Sequence, residues 1–198
     1  MIEKTNFDYL KADPQFEIFA DAAIAAEKIY SIDPGACVLN CRRAMEYAVK
    51  WMYSVDDELT MPADTTLLSL MSDADFRAVF SNTDLLRRMD FIRKKGNDAG
   101  HGNWKNTGRK ITPEIALHCL ENLFYLTDFI FYCYSTSEDY DLQSTFDHSL
   151  PQAQTASQAV PSKPVITEEE LQKILDENAA LKDFKAQMTA HREQQQQT

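Results

Sequence analysis

Three times in this chain a residue able to cap a helix stands directly before a proline: Asp13-Pro14, Asp33-Pro34 and Thr112-Pro113. The capping oxygen accepts from an N–H that the first turn leaves unpaired, and proline suits that turn because it has no N–H to satisfy. Behind each pair runs a stripe of apolar residues at helical spacing. After Pro14 it is Phe16, Phe19, Ala20, Ala23, Ile24 and Tyr30; after Pro34 it is Val38, Cys41, Met45, Ala48, Val49, Met52 and Tyr53. After Pro113 it is Ile115, Ala116, Cys119, Leu120, Leu123, Phe124, Ile130, Phe131 and Tyr134. Spacings of three and four put one face of each helix in a core. Each helix spans roughly 15–22 residues, about 22–33 Å. Shorter pieces fall at Thr65–Met71, Asp73–Phe80 and Asp84–Lys95. No stretch sustains a period of two, and glycine is scarce, with five in all and three of them within Gly96–Gly102. The pattern predicts an all-α bundle of about five helices ending near Tyr134.

With 198 residues, 44% of them hydrophobic, the chain can bury one sizeable core in a domain of about 100–150 residues. Its cysteines, Cys37, Cys41, Cys119 and Cys133, lie inside the helical stripes. Cys37 and Cys41 share a helix face, and no Cys-x-x-Cys knuckle completes a zinc site, so reduced core thiols are expected. The N-terminal residues contain no apolar run of signal-peptide length. The most apolar stretch, Ile115–Tyr134, is interrupted by His118, Glu121, Asn122 and Asp128, which argues against a membrane span. A cytoplasmic protein is the expectation. Phosphate-loop, dinucleotide, zinc-protease and nucleophile-elbow motifs are all lacking, and neither metal nor cofactor is expected.

Past Tyr134 the composition changes. Residues 135–150 are acidic and turn-rich, with Tyr140 and Phe146 as candidate docking anchors. Residues 151–164 hold three prolines, no acids and no aromatics, the composition of a flexible linker. Thr167-Glu-Glu-Glu170 matches a capping box and opens a last helix within residues 165–198. There Leu171, Ile174, Asn178, Leu181, Lys185 and Met188 alternate in threes and fours, which predicts an amphipathic helix. A dimerising coiled coil, with Asn178 and Lys185 in its seam, is the second reading. Something larger is expected to follow this helix.

One window stands against the acidic whole. Residues 87–110 hold eight Lys/Arg against two acids, a balance of +6, leaving −17 for the remainder of a chain whose net charge is −11. So acidic a chain cannot wrap DNA with its whole surface, but a local contact stays open. Within the window, Arg93-Lys-Lys-Gly-Asn-Asp-Ala-Gly-His101 gathers charge, glycines, Asn97 and His101. A histidine beside Arg93 or Lys95 suits proton transfer at a phosphodiester held by a cation. Lys94 and Lys95 also fit the negative end of a helix, with Gly96 as its left-handed cap. That plainer reading covers Lys94, Lys95 and Gly96, and accounts poorly for Asn97 and His101. A structural or ligand-contacting turn is therefore favoured over a catalytic one. Arg42 and Arg43 lie on or beside the second stripe. Pairing of Arg42 with Glu46 is the expectation there, and the sharper alternative turns Arg42 or Arg43 toward the Asn97–His101 turn to help hold an anion. The rings of Phe124, Tyr125, Phe129, Phe131, Tyr132 and Tyr134 imply a helix buried on more than one side, or an interface.

Taken together, Asn6-Phe-Asp-Tyr-Leu10, Asp13-Pro-Gln-Phe16, Ala22-Ala-Ile-Ala-Ala-Glu27, Arg42-Arg-Ala-Met-Glu46, Val49-Lys-Trp-Met-Tyr53 and Arg93–His101 resemble a small all-α domain. That domain stands at the N-terminus of many type I restriction endonuclease R subunits. Phe129–Tyr134 and Phe146-Asp-x-Ser-Leu150 fit its closing part, so the resemblance covers residues 1–150. It implies that an endonuclease domain and an ATP-driven DNA translocase would follow, and that this region has neither activity. The domain is distantly similar to HEPN bundles, some of which are metal-independent ribonucleases using an Arg, four to six residues, then His. Arg93 to His101 leaves seven between, and only Lys94 or Lys95 meets that spacing. The expectation is a non-catalytic adaptor of a restriction–modification system that contacts nucleic acid or a partner subunit through Arg42, Arg43, Arg93, Lys94, Lys95, Asn97 and His101. The alternatives are a HEPN-like ribonuclease, with His101 as acid–base group and Lys95, Arg93 or Arg42 as phosphate clamp, and an oligomerisation domain that forms a homodimer.

Overall fold

The computed structural model describes residues 4–81, 83–100, 111–136 and 145–152, all within the compact unit Met1–Ser157. Among them are six α-helices of six residues or more, a further helical turn at 149–152 and no strand: α1 Glu17–Ile29, α2 Pro34–Val55, α3 Leu67–Ser72, α4 Ala74–Val79, α5 Leu85–Gly100 and α6 Pro113–Tyr134. The all-α expectation holds, with six helices rather than about five. Most of the linker and all of the last predicted helix lie outside the described residues, as does Tyr140.

The three proline-marked starts form as read. Asp33 accepts from Ala36 N–H and Thr112 from Ile115 N–H, each with proline next in the first turn of α2 or α6. Asp13 does the same for a single 3-10 turn, Pro14–Phe16, which leads into α1. Its carboxylate also ties the start of the bundle to the end of α6. It accepts from Gln15 Nε2 (2.7 Å), Thr136 N (3.1 Å), Thr136 Oγ1 (3.1 Å) and Ser135 Oγ (3.3 Å). Burial works to raise its pKa, but the bonds from Gln15 and Thr136 outweigh burial and hold it below the ordinary carboxylate value.

α1 packs along α2, and α2, α5 and α6 pack on one another in pairs. The face α1 turns inward is small, with Ala20, Ala23 and Ala26 fully buried beside Phe19 and Ile24. Small side chains let two helix axes approach closely. From α2 come Val38, Met45, Val49 and Met52, and from α6 Leu120, Leu123, Leu126 and Ile130, all fully buried. Each such side chain contributes about 1.5–3 kcal/mol.

Rings bind one end of this core. Phe16 meets Trp51 and Phe131 with centroids 5.2 Å apart in each case, Trp51 stands edge-on to Tyr134 at 5.5 Å, and Tyr9 is edge-on to Phe131 at 5.4 Å. Tyr134 donates its hydroxyl to Asp56 Oδ2 at 2.5 Å, joining the C-termini of α2 and α6. The aromatic run on α6 is thus core on more than one side: Phe124 and Phe131 are buried, Tyr125, Phe129 and Tyr134 half-buried, and only Tyr132 is exposed. Phe146 anchors the closing segment, residues 145–152, by inserting against Phe124 at 5.8 Å. Three cysteines are buried core thiols as expected, but Cys133 is exposed. Burial pushes the Cys119 thiol up to about 12, so it is not a nucleophile. No described helix is long and apolar enough to cross a membrane.

Candidate functional site

The stretch read as a turn is helix. α5 continues through Gly96 to Gly100, so Gly96 is not a left-handed cap, and Lys94 and Lys95 do not close a helix end. The reason lies in α2. A Cβ on Gly96 would stand 2.7 Å from Arg42 Cβ and 3.0 Å from Arg42 Cγ, and closer still to Cδ. One turn on, a Cβ at Gly100 would meet Leu39 Cδ2 at 3.4 Å. Antiparallel α2 and α5 therefore cross where α5 has no side chain, and the stem of Arg42 lies across the bare backbone at Gly96.

That crossing also overturns the expected Arg42–Glu46 pair. Glu46 accepts instead from Lys50 Nζ at 2.7 Å. Glu four residues before Lys is the better orientation on a helix, and Arg42 before Glu46 the weaker. Arg42, half-buried, lies with its stem against α5 at Gly96, and its Nε is the one buried side-chain polar atom left without a hydrogen-bond partner among the described residues. A buried N–H in that state costs about 1–3 kcal/mol. Arg43 is exposed, and no described residue pairs with it.

The α5 cations are less available than their number suggests. Arg93 is mostly covered, and both Nε (3.1 Å) and Nη2 (2.7 Å) donate to Asp90 Oδ1. Lys94 takes the other oxygen, Oδ2, at 2.6 Å. Together Lys94 and Arg93 hold the Asp90 carboxyl below its ordinary pKa against the opposing effect of burial. Lys95 lies 3.7 Å from Asp98 and 5.9 Å from the centre of the Phe91 ring. Arg87 pairs with Asp84. Arg88 reaches Asp84 at 3.5 Å, donates to Asn122 Oδ1 at 2.8 Å and covers the Tyr125 ring at 4.7 Å. Asp84, Asp90 and Asp98, each three or four residues from its partners, thus offset the cations on α5. Asn97 is half-buried on α5 one residue past the crossing. His101 lies outside the described residues, as do Lys105, Arg109 and Lys110, so the predicted His101–Arg93 or His101–Lys95 pairing has no geometry here.

The arrangement brings Arg42 to the Lys95–Asn97 stretch, leaves Arg43 exposed on the same helix, and commits Arg93 and Lys94 to a carboxylate. Arg93 has two of its three guanidinium nitrogens, Nε and Nη2, already engaged by Asp90. The cavity of about 250 Å³ at Lys11, Asp13, Pro14, Glu17 and Asp21 carries three carboxylates against one lysine and does not suit an anion. No group of three or more His, Cys, Asp or Glu able to hold a metal ion occurs among the described residues.

Sequence reasoning passed over Glu27. It is fully buried in α1 and its two oxygens accept from Asn6, Oε2 from the backbone N–H at 2.9 Å and Oε1 from Nδ2 at 3.1 Å. The signal was present: Glu27 falls three and four residues after Ile24 and Ala23, inside the apolar stripe. Burial, acting against the two Asn6 bonds and helped by Asp8 and Asp147, raises its pKa to about 7.

Searches against protein-family models, curated proteins and solved structures give no match to this chain.

Proposed function

We propose that this chain is a non-catalytic helical binding module whose polyanion contact is centred on Arg42 and Arg43 of α2 where α2 crosses α5, and that its ligand is nucleic acid. One observation carries the reading: where the stem of Arg42 lies across Gly96 of α5, with its Nε shut away from solvent, α2 also carries a cation at its surface. Arg43 beside it is an exposed cation that no described acid offsets. A phosphate chain is a ligand that suits an exposed guanidinium such as that of Arg43, because its fork of N–H groups matches phosphate oxygens. Lys94, Lys95 and Asn97 flank the contact on α5, and His101 follows in sequence. The resemblance to the N-terminal domain of restriction R subunits supports an adaptor role, in which the module positions a following nuclease and translocase or binds a partner subunit. The engagement of Arg93 by Asp90 weighs against the HEPN-like ribonuclease reading.

The test is binding and cleavage of RNA and DNA in EDTA by the wild-type chain, the Arg42→Met/Arg43→Ala chain and the His101→Ala chain. Expected is binding without turnover, weakening linearly in log K against log salt with a slope of about −0.7 to −0.9 per phosphate contacted. The double variant should lose most of the affinity. Metal-independent cleavage abolished by His101→Ala would replace this reading with a ribonuclease, and absence of binding to either nucleic acid would move the search to protein partners.

A further inference from the structure

Asn6 does more than cover Glu27. Its side-chain carbonyl accepts from Asp147 N–H at 2.7 Å, and its Nδ2, already on Glu27, also donates to Asp147 C=O at 3.1 Å. A single amide therefore joins three parts of the fold: the N-terminal segment, the middle of the bundle and the closing segment, residues 145–152. Everything it rests on is a carboxyl fully removed from water. The titratable groups facing that carboxyl are Asp8 from the first 3-10 turn, Asp147 from the closing segment and the buried Cys41 thiol from α2. None of them is a cation, and no Lys, Arg or His among the described residues pairs with Glu27.

We propose that Glu27 and Asn6 form a proton-operated clasp that sets how firmly residues 145–152 are held on the bundle. With its proton, the carboxyl is neutral in its apolar seat and faces Asp8 and Asp147 without repulsion. Without it, a negative charge met only by the two Asn6 N–H bonds and by no cation sits in the core, and lifting of the segment above it lets water reach the charge. The carboxyl titrates near 7 when covered, against an ordinary value of 4.5 when hydrated. Below the lower value both states hold the proton and pH has no effect. Between the two, the closed state holds a proton that the open state lacks, so rising pH favours opening. Above the upper value the bias is complete, at about 300-fold in the open-to-closed ratio.

One neighbour acts in the same direction. His148 Nε2 lies 3.7 Å from Glu121, a contact that is an ion pair only while the imidazole is protonated. The test is therefore made in the full chain with and without His148→Gln. Hydrogen exchange is followed from pH 5 to pH 8, corrected for intrinsic rates, at residues 5–10 and 145–152, with α2 and α6 as internal reference. The Glu27 carboxyl carbon is titrated by NMR in the same samples. Protection of both segments should fall by up to about 300-fold, with the midpoint of the carboxyl titration. Glu27→Gln should flatten the profile, and Asn6→Ala should leave the closing segment poorly protected at every pH. The proposal is overturned if Glu27 titrates near its ordinary value, or if protection stays flat in the His148→Gln chain. Both readings come from chains retaining Glu27, so the test stands even if Glu27→Gln does not fold.

Discussion

Alanine at Gly96 sets two effects against each other, and the distances decide between them. In a helix interior, Gly→Ala is ordinarily favourable by about 0.5–1 kcal/mol, because glycine loses more backbone freedom on folding. Here the new methyl would stand 2.7 Å from Arg42 Cβ, well inside normal carbon–carbon contact, with Cγ at 3.0 Å. Arg42 Cδ can swing away, but Cβ is fixed to the backbone of α2, so relief requires the helices to separate. Overpacking of this kind costs about 1–3 kcal/mol. The net expectation is a loss of about 0.5–2 kcal/mol, or a Tm lower by about 2–6 °C in a domain of this size. Gly100→Ala is the internal control, since its methyl would meet Leu39 Cδ2 at 3.4 Å, an ordinary contact. The helix-propensity gain should survive there, and Tm should hold or rise by up to about 3 °C. Thermal melts of both variants side by side give the answer. If Gly96→Ala raises Tm as much as Gly100→Ala does, the close crossing of α2 and α5 is wrong, and with it the placement of Arg42.

Three further outcomes are expected. Arg42→Met keeps an aliphatic stem over Gly96 and removes the unpartnered Nε, so urea unfolding should show stability unchanged or higher by about 1 kcal/mol while nucleic-acid affinity falls; a loss beyond that would mean the guanidinium is satisfied. Asp90→Asn should release Arg93 and Lys94, tighten nucleic-acid binding and steepen the salt dependence by about 0.7–0.9 per added phosphate contact; unchanged affinity would show that these cations do not reach the ligand. Asp13→Ala strips the acceptor from Gln15, Ser135 and Thr136 and should cost about 2–4 kcal/mol in chemical denaturation. Because the folded pKa of Asp13 is depressed, this contribution is present above the ordinary carboxylate value and lost as pH falls through the folded one. A pH-independent difference between wild type and variant would contradict it.

What could be read from the chain was local. The helix starts at Pro14, Pro34 and Pro113 depend on a capping oxygen and a ring within two residues, and they form as written. Tyr140 and Phe146 stand out as rings in an acidic stretch, and of the two Phe146 is seen to dock. Gly96 was misread because Lys-Lys-Gly reads equally as a helix end and as a gap for a crossing helix. Its deciding neighbour, Arg42, is far away in sequence. Glu46 has two candidate partners at the same spacing, Arg42 and Lys50, and the helix orientation rule favours Lys50, while the cost of a half-buried arginine argues for Arg42. The offsetting of the α5 cations by Asp84, Asp90 and Asp98 was legible, since every pair lies within one helical turn; a sum over the window concealed it, and Asp84 stood just outside. Glu27 sits in plain view on the α1 stripe, but its partner Asn6, and Asp147 that Asn6 also binds, come from opposite ends of the domain.

The closing segment can be regarded as a tethered ligand of its own bundle. It presents an aromatic anchor, Phe146, a pair of main-chain hydrogen bonds to Asn6 and the His148–Glu121 contact, a small set beside the core of the bundle. Attachment a short way downstream of α6 makes its binding intramolecular, at an effective concentration of roughly millimolar. Weak contacts suffice under that condition, and small changes in them shift occupancy without disturbing the helices beneath. An outside peptide of the same sequence would have to approach that concentration to take its place.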